Sequence, residues 1–128
     1  MVTRITPKQR EIEQAFAVGI KPPKSWTAAQ IRAKREAEEA RIKRVCSDAI
    51  ATSERYAKCY FWSRTGSASQ RRSEEFSISE AFQWQGQSIT VHQSLNISCR
   101  NFYFRSEVRR DGVRSNISYF KNILVQLR

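Results

Sequence analysis

Apolar residues recur every third or fourth position through the first half of the chain and every second position through most of the rest. Ile12, Phe16 and Ile20 share one side, with Ala15 beside them, behind Thr6-Pro7-Lys8-Gln9. Threonine as N-cap, proline at the first helical position and glutamine three residues after the cap make a helix start. This predicts a short helix over residues 7–18, with Gly19 as its C-cap. A helix of that length is marginal alone. Its stripe must therefore dock on a second helix or on a sheet.

Lys21-Pro22-Pro23-Lys24 is a stiff linker, because consecutive prolines favour the extended polyproline conformation. Thr27-Ala28-Ala29-Gln30 then repeats the capping-box pattern and opens a long helix over residues 27–62, with Trp26 placed to staple onto Ile31. From Ala28 to Ala40 this helix is alanine and charge, with Ile31 its only bulky apolar residue. Its charges are arranged for i,i+4 pairing, as in Arg32–Glu36, Lys34–Glu38, Arg35–Glu39 and Glu39–Lys43. From Ile42 a stripe forms through Val45, Cys46, Ala49, Thr52 or Ser53, Tyr56 and Tyr60. The second half is expected to lie on a sheet, and the first half to project into solvent or meet the first helix.

Beyond residue 75 the period becomes two. Phe76, Ile78, Phe82 and Trp84 alternate, and Gln85-Gly86-Gln87 turns the chain. Ile89, Val91, Leu95, Ile97 and Cys99 alternate again, and Phe102, Phe104 and Val108 continue with Tyr103 and Arg105 on the opposite face. Asp111-Gly112 is the strongest hairpin signal. The last arm, Ile117 to Leu127, fits alternation through Tyr119, Ile123 and Val125 and also helical spacing through Ile117, Phe120, Leu124 and Leu127. Its β-branched and aromatic content favours a strand.

The expected fold is α+β in a single domain: two N-terminal helices, one short and one long, followed by a small antiparallel β-meander of three to five strands packed on the second half of the long helix. The parts are a lead-in with its linker (1–26), the long helix (27–62), a polar loop (63–75) and the sheet (76–128). Little chain follows the last strand, so one sheet edge is left for solvent or for a second copy.

Composition adds a strong charge. The chain of 128 residues carries 23 Lys and Arg against 12 Asp and Glu, a formal net charge of +11. Such a field draws polyanions: nucleic acid, an anionic membrane surface or an acidic protein. No segment is a detachable basic tail, since residues 1–26, 27–61, 62–75 and 76–128 carry +3, +3, +1 and +4. A basic surface has to be assembled by folding.

Catalytic and metal chemistry finds little support. Cys46, Cys59 and Cys99 are an odd, widely spaced set, and no signal peptide or long apolar run accompanies them, which fits reduced thiols and a cytoplasmic setting without a membrane partner. His92, the single histidine, has opposite strand parity to Cys99, so a local Cys–His dyad is not favoured. The Cys and His spacings lack the close pairs of zinc sites, and four glycines form no phosphate-cradling loop. A non-enzymatic protein without cofactor or metal is expected.

Binding chemistry gathers on arginines. Arg109, Arg110 and Arg114 bracket the Asp111-Gly112 turn and suggest a cationic hairpin tip. Arg64, Arg71 and Arg72 lie in a Ser-rich loop suited to phosphate contact. Tyr103 and Arg105 belong to Arg100-Asn101-Phe102-Tyr103-Phe104-Arg105, where aromatics to stack on bases and arginines to meet phosphates are interleaved. Arg41 and Arg44 are further candidates. The segment departs from the RNA-recognition-motif consensus at Tyr103, Arg105 and Glu107. A helical last arm would give the α-β-β-β-α order of double-stranded-RNA-binding domains, without the Lys-Lys-x-Ala-Lys that opens such a helix. Neither family is assigned. The expectation is a small basic protein that contacts nucleic acid or a nucleoprotein complex. The alternative is an inhibitor or adaptor on an acidic protein patch, for example a counter-defence factor of phage or plasmid type.

Overall fold

The computed structural model describes residues 5–65, 74–98 and 102–128, with the side chains of 57–65 outside the description. Among the described residues three helices and four strands follow in the order α1 (Pro7–Ala17), α2 (Ala28–Thr65), β1 (Glu74–Trp84), β2 (Gln87–Ile97), β3 (Phe102–Arg110), β4 (Val113–Ser115) and α3 (Ser118–Gln126). Among the described residues no helix is long and apolar enough to cross a membrane.

Both capping signals are built. The Thr6 side chain accepts from Gln9 N, and Thr27 and Gln30 close a reciprocal box in which each backbone N–H meets the other's side-chain oxygen. The α2 helix has 38 residues, about 57 Å at 1.5 Å per residue. The expected stripe holds from Ile42 to Tyr56, with Ile42, Val45, Cys46, Ala49 and Tyr56 buried and Thr52 and Ser53 half-buried, while the side chain of Tyr60 lies outside the described residues. The first half of α2 holds α1.

The docking face of α1 differs from the apolar stripe. Glu11, Ala15 and Val18 are buried, while Phe16 is 51% exposed. Glu11 is buried more deeply than its half-buried neighbour Ile12 because α2 meets the carboxylate with two guanidinium groups. Arg32 Nε donates to Glu11 Oε1 at 3.0 Å and Arg35 Nε to Oε2 at 3.3 Å. Of the intrahelical pairs expected on α2, Arg35–Glu39 forms, whereas Arg32 turns to Glu11 and Glu38 pairs with Arg41.

The sheet is an antiparallel meander in the order β1-β2-β3-β4. Its two tight turns, Gln85-Gly86 and Asp111-Gly112, have positive φ at both central residues. That is the hairpin geometry whose twist matches the strands. One face carries Phe82, Ile89, Val91 and Val108 into a core shared with the α2 stripe, Val18 and α3. Gln93 on this face is 3% exposed, and its amide donates to Ala49 O, Ser53 Oγ and Ser106 Oγ, which ties the sheet to α2. Toward the far end Tyr56 packs its ring on Phe76 and Phe104 and donates to Glu74.

The last arm is a helix, not the strand favoured by its residue types. The sheet therefore ends at Ser115, short of the 76–128 span expected for it. Asn116 Oδ1 accepts from Ser118 N as the helix starts. Phe120 and Ile123 are then fully buried, with Phe120 tilted against Phe82 at 6.0 Å. A period of three fills the gap beside α2, and two fully buried apolar side chains contribute roughly 1.5–3 kcal/mol each. Tertiary packing overrides a local β preference of smaller size.

Candidate functional site on the outer sheet face

Alternation places every second residue of the meander on the face turned away from α2 and α3. Register then aligns those residues into rungs. Glu75, Asn96 and Tyr103 form one; Ser77, Ser94 and Arg105 the next; Ser79, His92 and Glu107 the third; and Ala81, Thr90, Arg109 and Arg114 the fourth. The residues of this face are exposed or half-buried, apart from Glu107. Tyr103 is 57% exposed, although large apolar groups usually seek cover.

Glu107 organises the centre. Its side chain is 8% exposed, though it stands on the solvent face, because Arg105 and Arg109 flank it at two-residue spacing. Oε2 accepts from Arg105 Nη2, and Oε1 accepts from Arg109 Nε at 2.6 Å. The Arg105 hydrogen bond first, and that of Arg109 next, hold the carboxyl below the usual carboxylate range against the opposing effect of burial. Arg109 Nη1 also donates to Gly112 O at 2.9 Å, locking the arginine to the hairpin turn. Both guanidinium groups are thus positioned by the fold while staying about half exposed.

Across the strand, Ser79 Oγ and His92 Nδ1 lie 2.7 Å apart. The row Ser79–His92–Glu107 has the residue types of a hydrolytic triad, but both carboxylate oxygens accept from arginines and no bond joins Glu107 to the imidazole among the described residues. This acid orients cations, not a base. The row floors a depression of about 400 Å³ whose walls include Thr90, Arg105 and Arg109.

The other candidates fall elsewhere. Arg110 has opposite parity to Arg109. Its guanidinium stacks 3.9 Å from the Tyr119 ring centroid and donates to Gln87 Oε1 on the helix side of the sheet. The hairpin arginines are therefore divided between two faces and do not form one tip. Arg41 Nη2 donates to Glu38 and to Ala81 O, stapling α2 to the β1 edge, and the Glu38 hydrogen bond raises its pKa. Arg44 is exposed on α2, on the other side of the sheet from the rungs, beside Asp48 and Ile78. The side chains of Arg64, Arg71 and Arg72 lie outside the described residues.

Among the described residues no three His, Cys, Asp or Glu side chains gather as a metal set would. Cys46 is buried in the core, and desolvation pushes its thiol up to about 12. Glu107 and His92 are the members of the site that the sequence does not place among the binding residues: His92 figures there only as a partner for a thiol, and Glu107 only as a departure from a consensus. The signal was local: Arg105-x-Glu107-x-Arg109 at strand spacing puts a carboxylate between two guanidinium groups on one face. Comparison of the chain with known protein families, curated proteins and solved structures returns no match, so the functional reading rests on this face alone.

Proposed function

We propose that this chain is a small non-enzymatic binding protein that holds nucleic acid, bare or within a nucleoprotein, on the open face of its sheet. The observation that carries the reading is the alignment of Tyr103, Arg105, Arg109 and Arg114 on three of four adjacent rungs of a face that no described helix covers. An exposed aromatic next to fixed guanidinium groups serves base stacking and phosphate contact together. The net charge of +11 supplies long-range attraction. Arg64, Arg71 and Arg72, in the segment before β1, are additional phosphate contacts in this reading.

The test is fluorescence anisotropy with labelled single-stranded DNA, duplex DNA and RNA over a salt series. Retention at physiological salt with a preference for one form supports the proposal. Replacing Arg105, Arg109 and Arg114 by alanine then lowers affinity and reduces the salt slope by about 2–3, nearly one unit per lost phosphate contact. Affinity that vanishes at physiological salt, together with a stoichiometric protein complex in pull-downs, transfers the same arginines to an acidic protein surface.

A further inference from the structure

We propose that the depression between Ser79, His92, Arg105 and Arg109 is a subsite for a phosphomonoester dianion, carried as the terminal phosphate of a nucleic-acid strand or by a free nucleotide. The inference deepens the reading above and rests on it for the polymer, but not for the phosphate chemistry.

Shape sets the first constraint. At about 400 Å³ the depression falls in the size range of small-molecule sites, whereas a strand lying across a sheet needs no concavity. Its donors are fixed in advance. Arg105 commits Nη2 to Glu107 and keeps the rest of its fork free. Arg109 is held at Nε by Glu107 and at Nη1 by Gly112 O. Side chains ordered before the ligand arrives lose little entropy when it binds. The imidazole adds a further group: Nδ1 is taken by Ser79, and Nε2 has no partner among the described residues. Thr90 contributes a hydroxyl to the same wall.

Charge sets the second constraint. Two arginines and Glu107 leave a single net positive charge at the centre of the depression, and Glu80, which also lines it, is answered by Arg41 at 3.7 Å. Glu107 opposes any anion, but its two oxygens are already spent on guanidinium N–H groups. A bridging phosphodiester brings one negative charge and two free oxygens. A monoester brings about two charges and three acceptor oxygens at neutral pH. The monoester engages the uncommitted part of the Arg105 fork, the N–H groups that Arg109 has left over from Glu107 and Gly112, and the imidazole at once, which a diester in the middle of a strand does not.

His92 is the single histidine, so its imidazole resonances are a unique reporter. The full chain would be titrated with AMP, adenosine and inorganic phosphate by NMR. In parallel, anisotropy would compare one oligonucleotide with hydroxyl ends, a 5′-phosphate or a 3′-phosphate. We expect AMP but not adenosine to move the His92 signals, and a phosphorylated end to bind about tenfold more tightly than a hydroxyl end, as one added charge-assisted contact implies. Inorganic phosphate moving His92 as well as AMP does supports the subsite and assigns it to the phosphate alone. Glu107→Gln should raise salt-sensitive affinity for every oligonucleotide while erasing the end preference; Arg114→Ala, outside the depression, should weaken all of them equally and keep it. Equal affinity for all ends with a motionless His92 overturns the subsite and leaves the sheet-face reading standing. An AMP response without oligonucleotide retention at physiological salt upholds the subsite and removes the polymer.

Discussion

Arg109 Nε donates to Glu107 Oε1 at 2.6 Å across a single intervening residue of β3. On a strand that spacing is the shortest that keeps two side chains on one face, and Arg105 repeats the contact from the other side. Glu11 has an equivalent position between Arg32 and Arg35 at the α1–α2 contact.

Both carboxyls titrate below the usual range: Glu107 through hydrogen bonds from Arg105 and then Arg109, Glu11 chiefly through that from Arg32. A folded-state pKa below the unfolded value means that the native protein resists protonation. The stabilisation is then complete above the unfolded pKa of about 4.3 and is lost as pH falls through the folded values. Urea midpoints should hold from pH 7 to 5 and drop in more acid solution. A Glu11→Gln/Glu107→Gln double variant should have a flatter acid limb. If its limb stays as steep, other carboxylates govern the acid transition.

The C-terminal helix makes a sharp prediction because the two periodicities assign different residues to the core. Phe120 is fully buried and Val125 is 59% exposed. Phe120→Ala should cost roughly 3–5 kcal/mol. Val125→Ala should stay within about 0.5 kcal/mol. Chemical denaturation of the two variants decides the matter, and comparable losses at both positions would restore the strand.

Gly19 sits where α1 leaves toward the β1 edge, with φ +82, and a Cβ there would lie 2.7 Å from Cβ and Cγ of Gln83. Gly19→Ala should destabilise by more than the roughly 1–2 kcal/mol of left-handed strain alone. Gly112→Ala, with φ +78 and open space around it, isolates the strain. Trimming Gln83 to alanine keeps its Cβ and should give little relief. Equal melting-temperature losses for the two glycine variants would remove the steric contact from the explanation.

In a Cys59→Ser/Cys99→Ser background, the remaining thiol should be inert to a disulfide reagent at pH 8 and should react at once in denaturant. Desolvation of Cys46 keeps the thiolate scarce at that pH, and burial denies access. Fast labelling of the native protein would place Cys46 at a surface.

Much of this was legible because the signals were local. Two capping boxes and the stripe from Ile42 to Tyr56 depend on neighbours within a turn, and the turn residues at Gln85-Gly86 and Asp111-Gly112 specify their own backbone. The misread elements were those whose partners are remote. Glu11 is buried only because Arg32 and Arg35 come to it across 21 and 24 residues of chain. The arm after Asn116 coils because Phe82 waits for Phe120. At the candidate site, the facing of Tyr103 and Arg105 followed from alternation. The division of Arg109 from Arg110 was available from the same rule, but proximity to one turn suggested a shared tip.

The join between α1 and the first half of α2 also bears on how the molecule breathes. Ala15 and Ile31 are buried there but stand apart from the main apolar cluster, and Glu11 with its arginines joins them, while only the end of α1 reaches the cluster and the sheet, through Val18 and the Gln85 N–H donated to Ala17 O. Such a unit can open without exposing Phe120 or Ile89. In native-state hydrogen exchange the amides of α1 and of the α2 start should lose protection together, at a lower opening free energy than β2, and their opening should become easier in salt. The long helix would then behave as two cooperative segments, one secured by charge and the other by oil.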